Sequence, residues 1–180
     1  MRILAAIALS ALFALPAAAR PLTPEEAKDM GKAVDIHLRS IGRGEAERIA
    51  SAIPPRVLNV FAGQAGIEAS QLIPTLAEQM NEVMKNAKFS DFYSDKSALD
   101  AKDETLADGT VVTWVLVPTA FTTETADGKT RNEQPLFVLR EGDKWYMMRI
   151  EGEAQRQLVG FAYPFLNEVE IPPSRATPIN

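Results

Sequence analysis

The residues with the clearest potential for ligand chemistry lie in an apolar run at 144–150. If this run is a strand, Trp145, Met147 and Arg149 share one face, because successive side chains of a strand point to opposite faces. On a concave sheet face, the Arg149 guanidinium could bind a carboxylate or phosphate group. Trp114, in an earlier apolar run, could form an aromatic pocket wall together with Trp145. Trp114, Trp145, Met147 and Arg149 are therefore the candidate ligand-binding residues.

Each of these residues also has a purely structural interpretation. Arg149 could pair with an acid of a preceding helix, such as Glu78 or Glu82, and the tryptophans could simply pack in a core. His37 is the only histidine of the chain and falls at the edge of a predicted apolar helix stripe. Asp35 is two positions away and does not face it on a helix, so no carboxylate partner for a general base is evident. We interpret His37 as a partly buried helix residue with a backbone or solvent partner.

The chain lacks the residue types that most enzymatic reactions and metal sites need. The chain has no cysteine, which excludes thiol nucleophiles, thiolate metal sites and disulfides. The predicted core strands at 111–121 and 145–150 contain no Asp or Glu, whereas an isomerase of the ketosteroid type needs a carboxyl group in a dry cavity. The acids between 91 and 108 lack the spacing of a calcium loop, and we interpret them as a solvated surface. No catalytic residue, metal or cofactor is expected.

The length and net charge of the chain limit the kinds of molecule that it is expected to bind. The chain has 180 residues, 46% of them hydrophobic, which suits one folded domain with an ordinary core. Its 24 Asp and Glu residues outnumber 19 Lys and Arg residues, giving a net charge of −5. An acidic balance argues against binding to a nucleic-acid backbone, so no nucleic-acid partner is expected.

The first nineteen residues are typical of a secretory signal peptide. Arg2 gives a basic start, residues 3–15 are almost entirely apolar, and Ala17 and Ala19 are small residues at the positions that signal peptidase reads. The apolar run is well short of the roughly 20 residues that a membrane-spanning helix needs. We expect cleavage after Ala19, leaving a soluble domain of residues 20–180 without a membrane span. Because the exported chain lacks cysteine, a bacterial periplasm is the expected location; a retained anchor helix is the alternative.

Helical patterns occupy the first half of the remaining chain. Thr23, Pro24 and Glu26 form a predicted capping box, followed by an apolar stripe as far as Ile41. A second helix is expected at 45–53, a short helical turn at 56–61 and a long helix at 71–87. Pro74 is expected in the first turn of the long helix, where proline is tolerated. The residues expected on the buried face of the long helix are Leu72, Leu76, Met80, Val83, Met84 and Ala87.

Strand patterns follow, at 110–121, 136–140 and 144–150, with further strands around 89–93 and 98–105. Asp-Gly pairs at 108–109 and 127–128 predict tight antiparallel turns. The run at 111–117 is apolar on both faces, so its second face should be covered by the C-terminal segment or by a partner subunit. Residues 155–169 have helical spacing interrupted at Pro164, which predicts a broken helix or a packed loop. The fold class is therefore α+β, with N-terminal helices packed on one face of a curved antiparallel β-sheet, a meander.

Several short motifs carry a family resemblance: Gly109-Thr110 before the long strand, Gly142-Asp143-Lys144-Trp145-Tyr146 at the last strand, then Tyr163-Pro164 and Ile171-Pro172. Over roughly residues 70–173 the chain resembles an exported bacterial member of the nuclear-transport-factor-two-like (cystatin-related) cone-fold superfamily. The resemblance implies a cone-shaped sheet, and it implies homodimers, since such sheets often pair through their convex faces. It implies little about activity, because this fold serves isomerases, dehydratases, cyclases and binding modules alike.

The sequence favours a periplasmic, non-enzymatic domain that holds a small apolar ligand or contacts an envelope protein. One alternative is an isomerase, dehydratase or cyclase, which would need an acid or His37 opening into the cone. Another is an envelope inhibitor or immunity protein, for which an exposed aromatic patch around Phe89, Phe92 and Tyr93 is expected.

Overall fold

The computed structural model describes residues 19–179. Residues 1–18, which contain nearly all of the expected signal peptide, lie outside the described residues. The described chain forms α-helices, one short 3-10 helix and a seven-stranded sheet. The helices are α1 (Pro24–Gly42), α2 (Ala46–Ala50), α3 (Pro55–Ala65), α4 (Ala69–Lys85) and α5 (Gly152–Ala162), with the 3-10 helix at Pro164–Asn167. The strands are β1 (Arg20–Pro21), β2 (Lys88–Ser94), β3 (Asp100–Thr105), β4 (Val111–Thr125), β5 (Gly128–Glu141), β6 (Lys144–Met148) and β7 (Arg175–Ile179).

Helix α1 begins as the sequence predicts. The Glu26 backbone N–H donates to Thr23 Oγ1 (3.2 Å), and the Thr23 N–H donates to Glu26 Oε2 (2.8 Å), so the capping box is complete. Pro24 occupies the first helical position, where its missing N–H costs nothing. The predicted stripe lies against the sheet except for Ala27 at its start, which is exposed. Its buried apolar residues are Met30, Val34, Leu38 and Ile41.

Helices α3 and α4 form a hairpin that departs from the sequence prediction. The expected short turn at 56–61 is a full helix, α3, which ends at Gly66 in a left-handed conformation (φ 67°). Because α4 begins at Ala69, Pro74 is its sixth residue and lies inside the helix, not in its first turn. Of the predicted buried face only Leu72 is buried, and Val83 is 64% exposed. The reason is that α4 packs mainly on α2 and α3, while its Met80 and Met84 are only partly buried against the core between α1 and the sheet.

The sheet is built on a long hairpin of β4 and β5, paired from Val112–Glu141 to Thr125–Gly128. The other edge of β4 pairs with β3 near its start and with β2 near its end. The other edge of β5 pairs with β7 near its start and with β6 near its end. Strand β1 pairs with β3 and so extends the sheet on that side. Every pairing is antiparallel. The predicted α+β fold, with helices packed on a curved antiparallel sheet, is confirmed.

The sheet has a core on each face. On the face covered by α1, which we call the α1-side core, Val115, Val117, Leu136, Val138, Trp145 and Met147 pack with the α1 stripe. On the other face, the C-terminal core, Val112, Trp114, Phe137 and Leu139 pack with Val159, Tyr163 and Leu166. The strand at 111–117 is thus central and covered on both faces, as predicted. The helices are not confined to one face, since α5 and the 3-10 helix cover the second.

The C-terminal helix is broken where the sequence predicts. Helix α5 ends at Ala162 and the 3-10 helix starts at Pro164, which cannot donate a helical hydrogen bond. The buried residues differ from those expected from spacing, since Phe161 is 72% exposed while Val159 and Leu166 are buried. Because the helix is interrupted before Pro164, the buried positions of α5 and of the 3-10 helix do not follow one continuous helical spacing.

Candidate functional site

Two of the four predicted ligand residues line an open groove between α1 and β6, which we call the α1–β6 groove. Its volume is about 440 Å³. The floor of the groove consists of apolar side chains and one imidazole: Ala33, Ile36, His37, Ala52, Trp145 and Met147. The rim is charged and consists of Asp29, Lys32, Arg48, Asp143 and Lys144. Ser51 also lines the groove, beside Ala52.

Helical geometry accounts for one wall of the groove. Asp29, Ala33 and Ile36 are spaced by three or four residues, so they lie on one face of α1, adjacent to its buried stripe. The opposite wall is the outer edge of β6. It is held against the chain after α2 by one backbone hydrogen bond, from the Met147 N–H to the Ala52 carbonyl (2.8 Å). A helix face, a strand edge and a loop therefore meet at the groove.

His37 is the buried polar residue of the groove floor. It is 7% exposed, and its Nδ1 atom is enclosed without a hydrogen-bond partner among residues 19–179. Burial, followed by the positive charge of Arg149, lowers the pKa of His37 to about 4. The imidazole is therefore neutral near pH 7. No backbone group of residues 19–179 is the partner of Nδ1.

Arg149 lies beyond the end of β6, which stops at Met148 and not at 150. Its guanidinium stacks over Phe121, 4.4 Å from the ring centroid. The Gln134 amide oxygen accepts from Arg149 Nη1 (3.0 Å) and Nε (2.6 Å), and its nitrogen donates to Glu151 Oε1 (2.7 Å); these neighbours fix the amide orientation. Burial lowers the pKa of Arg149 to about 10, opposed by the charge of Glu151.

The partner expected for a structural Arg149 is not the one found. Glu82 pairs with Lys85 on the same helix (2.5 Å), and Arg149 takes part in no ion pair within 4.0 Å among residues 19–179. The neutral amide of Gln134 replaces a helix carboxylate. Arg149 shares the α1 side of the sheet with the groove, but it does not line the groove.

The two tryptophans lie on opposite faces of the sheet and cannot form one pocket wall. Trp145 belongs to the α1-side core and lines the groove. Trp114 belongs to the C-terminal core, where its ring stacks on Phe165 (centroids 5.7 Å apart, planes at 20°). Lys102 Nζ lies 5.2 Å from the Trp114 ring. The predicted residues therefore separate into Trp145 and Met147 in the groove, Arg149 behind it, and Trp114 on the other face.

Sequence reasoning missed the α1 and loop residues of the groove. Ala33 and Ile36 are adjacent to the predicted buried stripe, and this spacing was the available signal. Ala52 carries no side-chain signal, because its backbone carbonyl makes the contact with β6. The groove could not be predicted without knowing that α1 crosses the sheet beside β6.

The aromatic patch expected for an inhibitor is only partly on the surface. Phe89 and Phe92 pack against Phe121, with ring centroids 6.0 and 6.1 Å away. Tyr93 alone of the three is exposed. It lines a second groove, of about 620 Å³, on the opposite face of the sheet from α1, together with Pro118.

Comparison with protein-family models, curated proteins and solved structures found no match to this chain. Within residues 19–179, no helix combines the length and the apolar character needed to cross a bilayer. In that same part of the chain, no group of three or more His, Asp or Glu side chains could hold a metal ion.

Proposed function

We propose that this chain is an exported domain of the bacterial periplasm, of the nuclear-transport-factor-two-like (cystatin-related) kind, that binds a partner and does not catalyse a reaction. The α1–β6 groove takes an apolar group of a small ligand or of an envelope protein. The observation that carries this proposal is the meeting of His37, Trp145 and Met147 in one open groove of about 440 Å³.

The composition of the groove supports binding. Its volume falls within the range of about 300–1,000 Å³ that ligand pockets occupy. Apolar side chains form its floor, and charged side chains of both signs form its rim. Such an arrangement buries an apolar group by the hydrophobic effect and orients it by a few polar contacts.

The same groove gives little support to acid–base catalysis. An efficient general base has a pKa near the working pH, and the pKa of His37 is lowered to about 4. The carboxylates of the groove, Asp29 and Asp143, are exposed at its rim and are not enclosed in a dry cavity. Binding is therefore the better explanation of the groove than isomerase or dehydratase chemistry.

The contacts of Arg20 support the proposed cleavage after Ala19. The Arg20 guanidinium donates to both carboxylate oxygens of Glu26 (2.8 and 3.0 Å) and of Asp103 (2.9 and 2.6 Å). It thereby connects β1 to α1 and β3. Cleavage after Ala19 leaves this residue in the mature domain, whereas cleavage one residue later would remove it.

The proposal is tested by contact quenching of one tryptophan at a time. Bromophenylacetate, an apolar ring with a carboxylate, is added to Trp114→Phe, which keeps Trp145, and to Trp145→Phe, which keeps Trp114. Because only Trp145 lines the groove, we expect saturable quenching of the Trp145 protein and weak, linear quenching of the Trp114 protein. Equal quenching of both, or no saturation in either, would show that the groove is not the binding site.

A further inference from the structure

The outer edge of β6 has backbone groups without strand partners. In the pairing of β5 with β6, Val138 is opposite Met147 and Arg140 is opposite Trp145. The Met147 N–H points away from β5, because it donates to the Ala52 carbonyl. In an antiparallel pair the residues that point outward alternate, so the N–H and C=O of Trp145 point outward too.

These Trp145 groups are an open position for a further strand. Among residues 19–179, neither its backbone N–H nor its carbonyl has a hydrogen-bond partner in another segment. Trp145 also lines the α1–β6 groove, together with Lys144 and Met147 of the same strand. At the neighbouring outward position, the Met147 N–H already donates to the carbonyl of Ala52, which lies in a turn. An extended residue opposite Trp145 could therefore exchange two hydrogen bonds with it.

The charge of the rim indicates what kind of segment would fit. Three cations, Lys32, Arg48 and Lys144, face two acids, Asp29 and Asp143, in a chain whose net charge is −5. The lining of the groove thus carries one more cation than acid, and the ion pairs of each cation decide which of them can bind an acidic group.

The cations of the rim differ in whether the protein itself supplies them with a partner. Arg48 pairs with Glu45 (3.2 Å), and Lys144 lies 4.8 Å from the ring centroid of Tyr146. Lys32 forms no ion pair among residues 19–179. Its ammonium group is therefore available to an acidic side chain, while Ala33 and Ile36 beside it offer contact to an apolar one.

We propose that the α1–β6 groove binds an extended segment of a partner protein, in which apolar and acidic residues alternate, by strand addition to β6. This inference rests on the proposed function and names the partner of the same groove. Main-chain hydrogen bonds to Trp145 supply the docking geometry, and the contacts with Ile36 and Lys32 supply the preference for apolar and acidic side chains.

A pair of N-methylated peptides tests the strand addition. The parent peptide alternates aspartate and valine and is blocked at both ends; one analogue is N-methylated at the valines and the other at the aspartates. Since alternate N–H groups of a strand face the same edge, only one analogue loses the hydrogen bonds to β6. By titration calorimetry with residues 20–180, we expect one analogue to bind about tenfold more weakly than the parent, or worse, and the other to bind similarly.

A matched pair of surface variants tests the charge preference. Lys32→Glu reverses the unpaired rim charge, whereas Lys88→Glu makes the same change at an exposed position of β2 outside the groove. We expect the parent peptide to bind several-fold more weakly to the first variant and unchanged to the second. Equal affinities for both variants would overturn the role of Lys32.

The outcomes separate this inference from the proposed function. If bromophenylacetate quenches Trp145 but the parent peptide does not bind, or both N-methylated analogues bind like the parent, strand addition is wrong and a small-ligand groove remains. If neither the aromatic probe nor the peptide binds, both proposals fail.

Discussion

At the scale of single residues, the burial of His37 without a hydrogen-bond partner for Nδ1 determines the protonation state of its ring. His37 lies in the groove floor with an enclosed Nδ1, and the Arg149 cation acts on it from the same side of the sheet. Both effects oppose a second positive charge. The imidazole is consequently a neutral group of the groove floor that takes up a proton reluctantly.

This property makes His37 a source of pH-dependent stability. Its pKa is about 6.5 in the unfolded chain and about 4 in the folded one, so unfolding is favoured by proton uptake between these values. From about pH 7.5 to about pH 5.5 we expect the free energy of unfolding to fall by about 1 kcal/mol because of this residue. His37→Gln should remove most of that fall, measured by urea denaturation at both pH values. An equal fall in the variant would show that the imidazole is not held neutral.

A second buried group joins the C-terminal segment to the sheet. Tyr163 is fully buried, and its hydroxyl donates to Glu141 Oε2 (2.9 Å), while Arg56 Nε donates to Glu141 Oε1 (2.7 Å). Burial and this carboxylate hold the pKa of Tyr163 well above its usual range. We expect Tyr163→Phe to lower the free energy of unfolding by about 1–3 kcal/mol, since a hydrogen bond to a charged group is lost. Tyr146→Phe is the control, because no hydrogen bond of its hydroxyl is found in residues 19–179, and a similar loss there would contradict the assignment.

At the scale of elements, periodicity identifies a helix but not the surface that covers it. The spacing in α4 correctly predicts a helix, yet the expected buried face is only partly buried. The reason is that α4 packs mainly on α2 and α3, and its Met80 and Met84 are only partly covered by the α1-side core. The same limit applies to β7, whose five residues are all exposed, so no apolar pattern marks it as a strand. Strong turn signals, in contrast, placed the hairpins of the sheet correctly.

Two substitutions in α4 distinguish its covered and uncovered positions. Leu72 is buried between α3 and α4, and Leu72→Ala should lower the free energy of unfolding by about 2–5 kcal/mol. Val83 is largely exposed, and Val83→Lys should change it by no more than about 0.5 kcal/mol. Chemical denaturation of both variants is the measurement. A large loss for Val83→Lys would mean that a further surface covers the end of α4.

At the scale of the whole molecule, the fold class can be predicted from the sequence, whereas the positions of the helices and loops relative to the strands cannot. The α+β class and the doubly covered central strand follow from local patterns and are confirmed. In the site, strand alternation correctly grouped Trp145 with Met147. It could not show that Trp114 faces away, nor that Ala33 and Ala52 complete the groove, because those facts depend on how α1 and the loop after α2 cross β6.

The central claim is that the α1–β6 groove is the binding site, and the NMR signals of the His37 ring test it most directly. His37 is the only histidine of the chain, so its ring protons give a single assignable set of signals. We predict that these signals shift saturably as bromophenylacetate or the parent peptide is added, with the same midpoint as the quenching of Trp145. Saturable binding that leaves the His37 signals unmoved would place the ligand elsewhere and contradict the account.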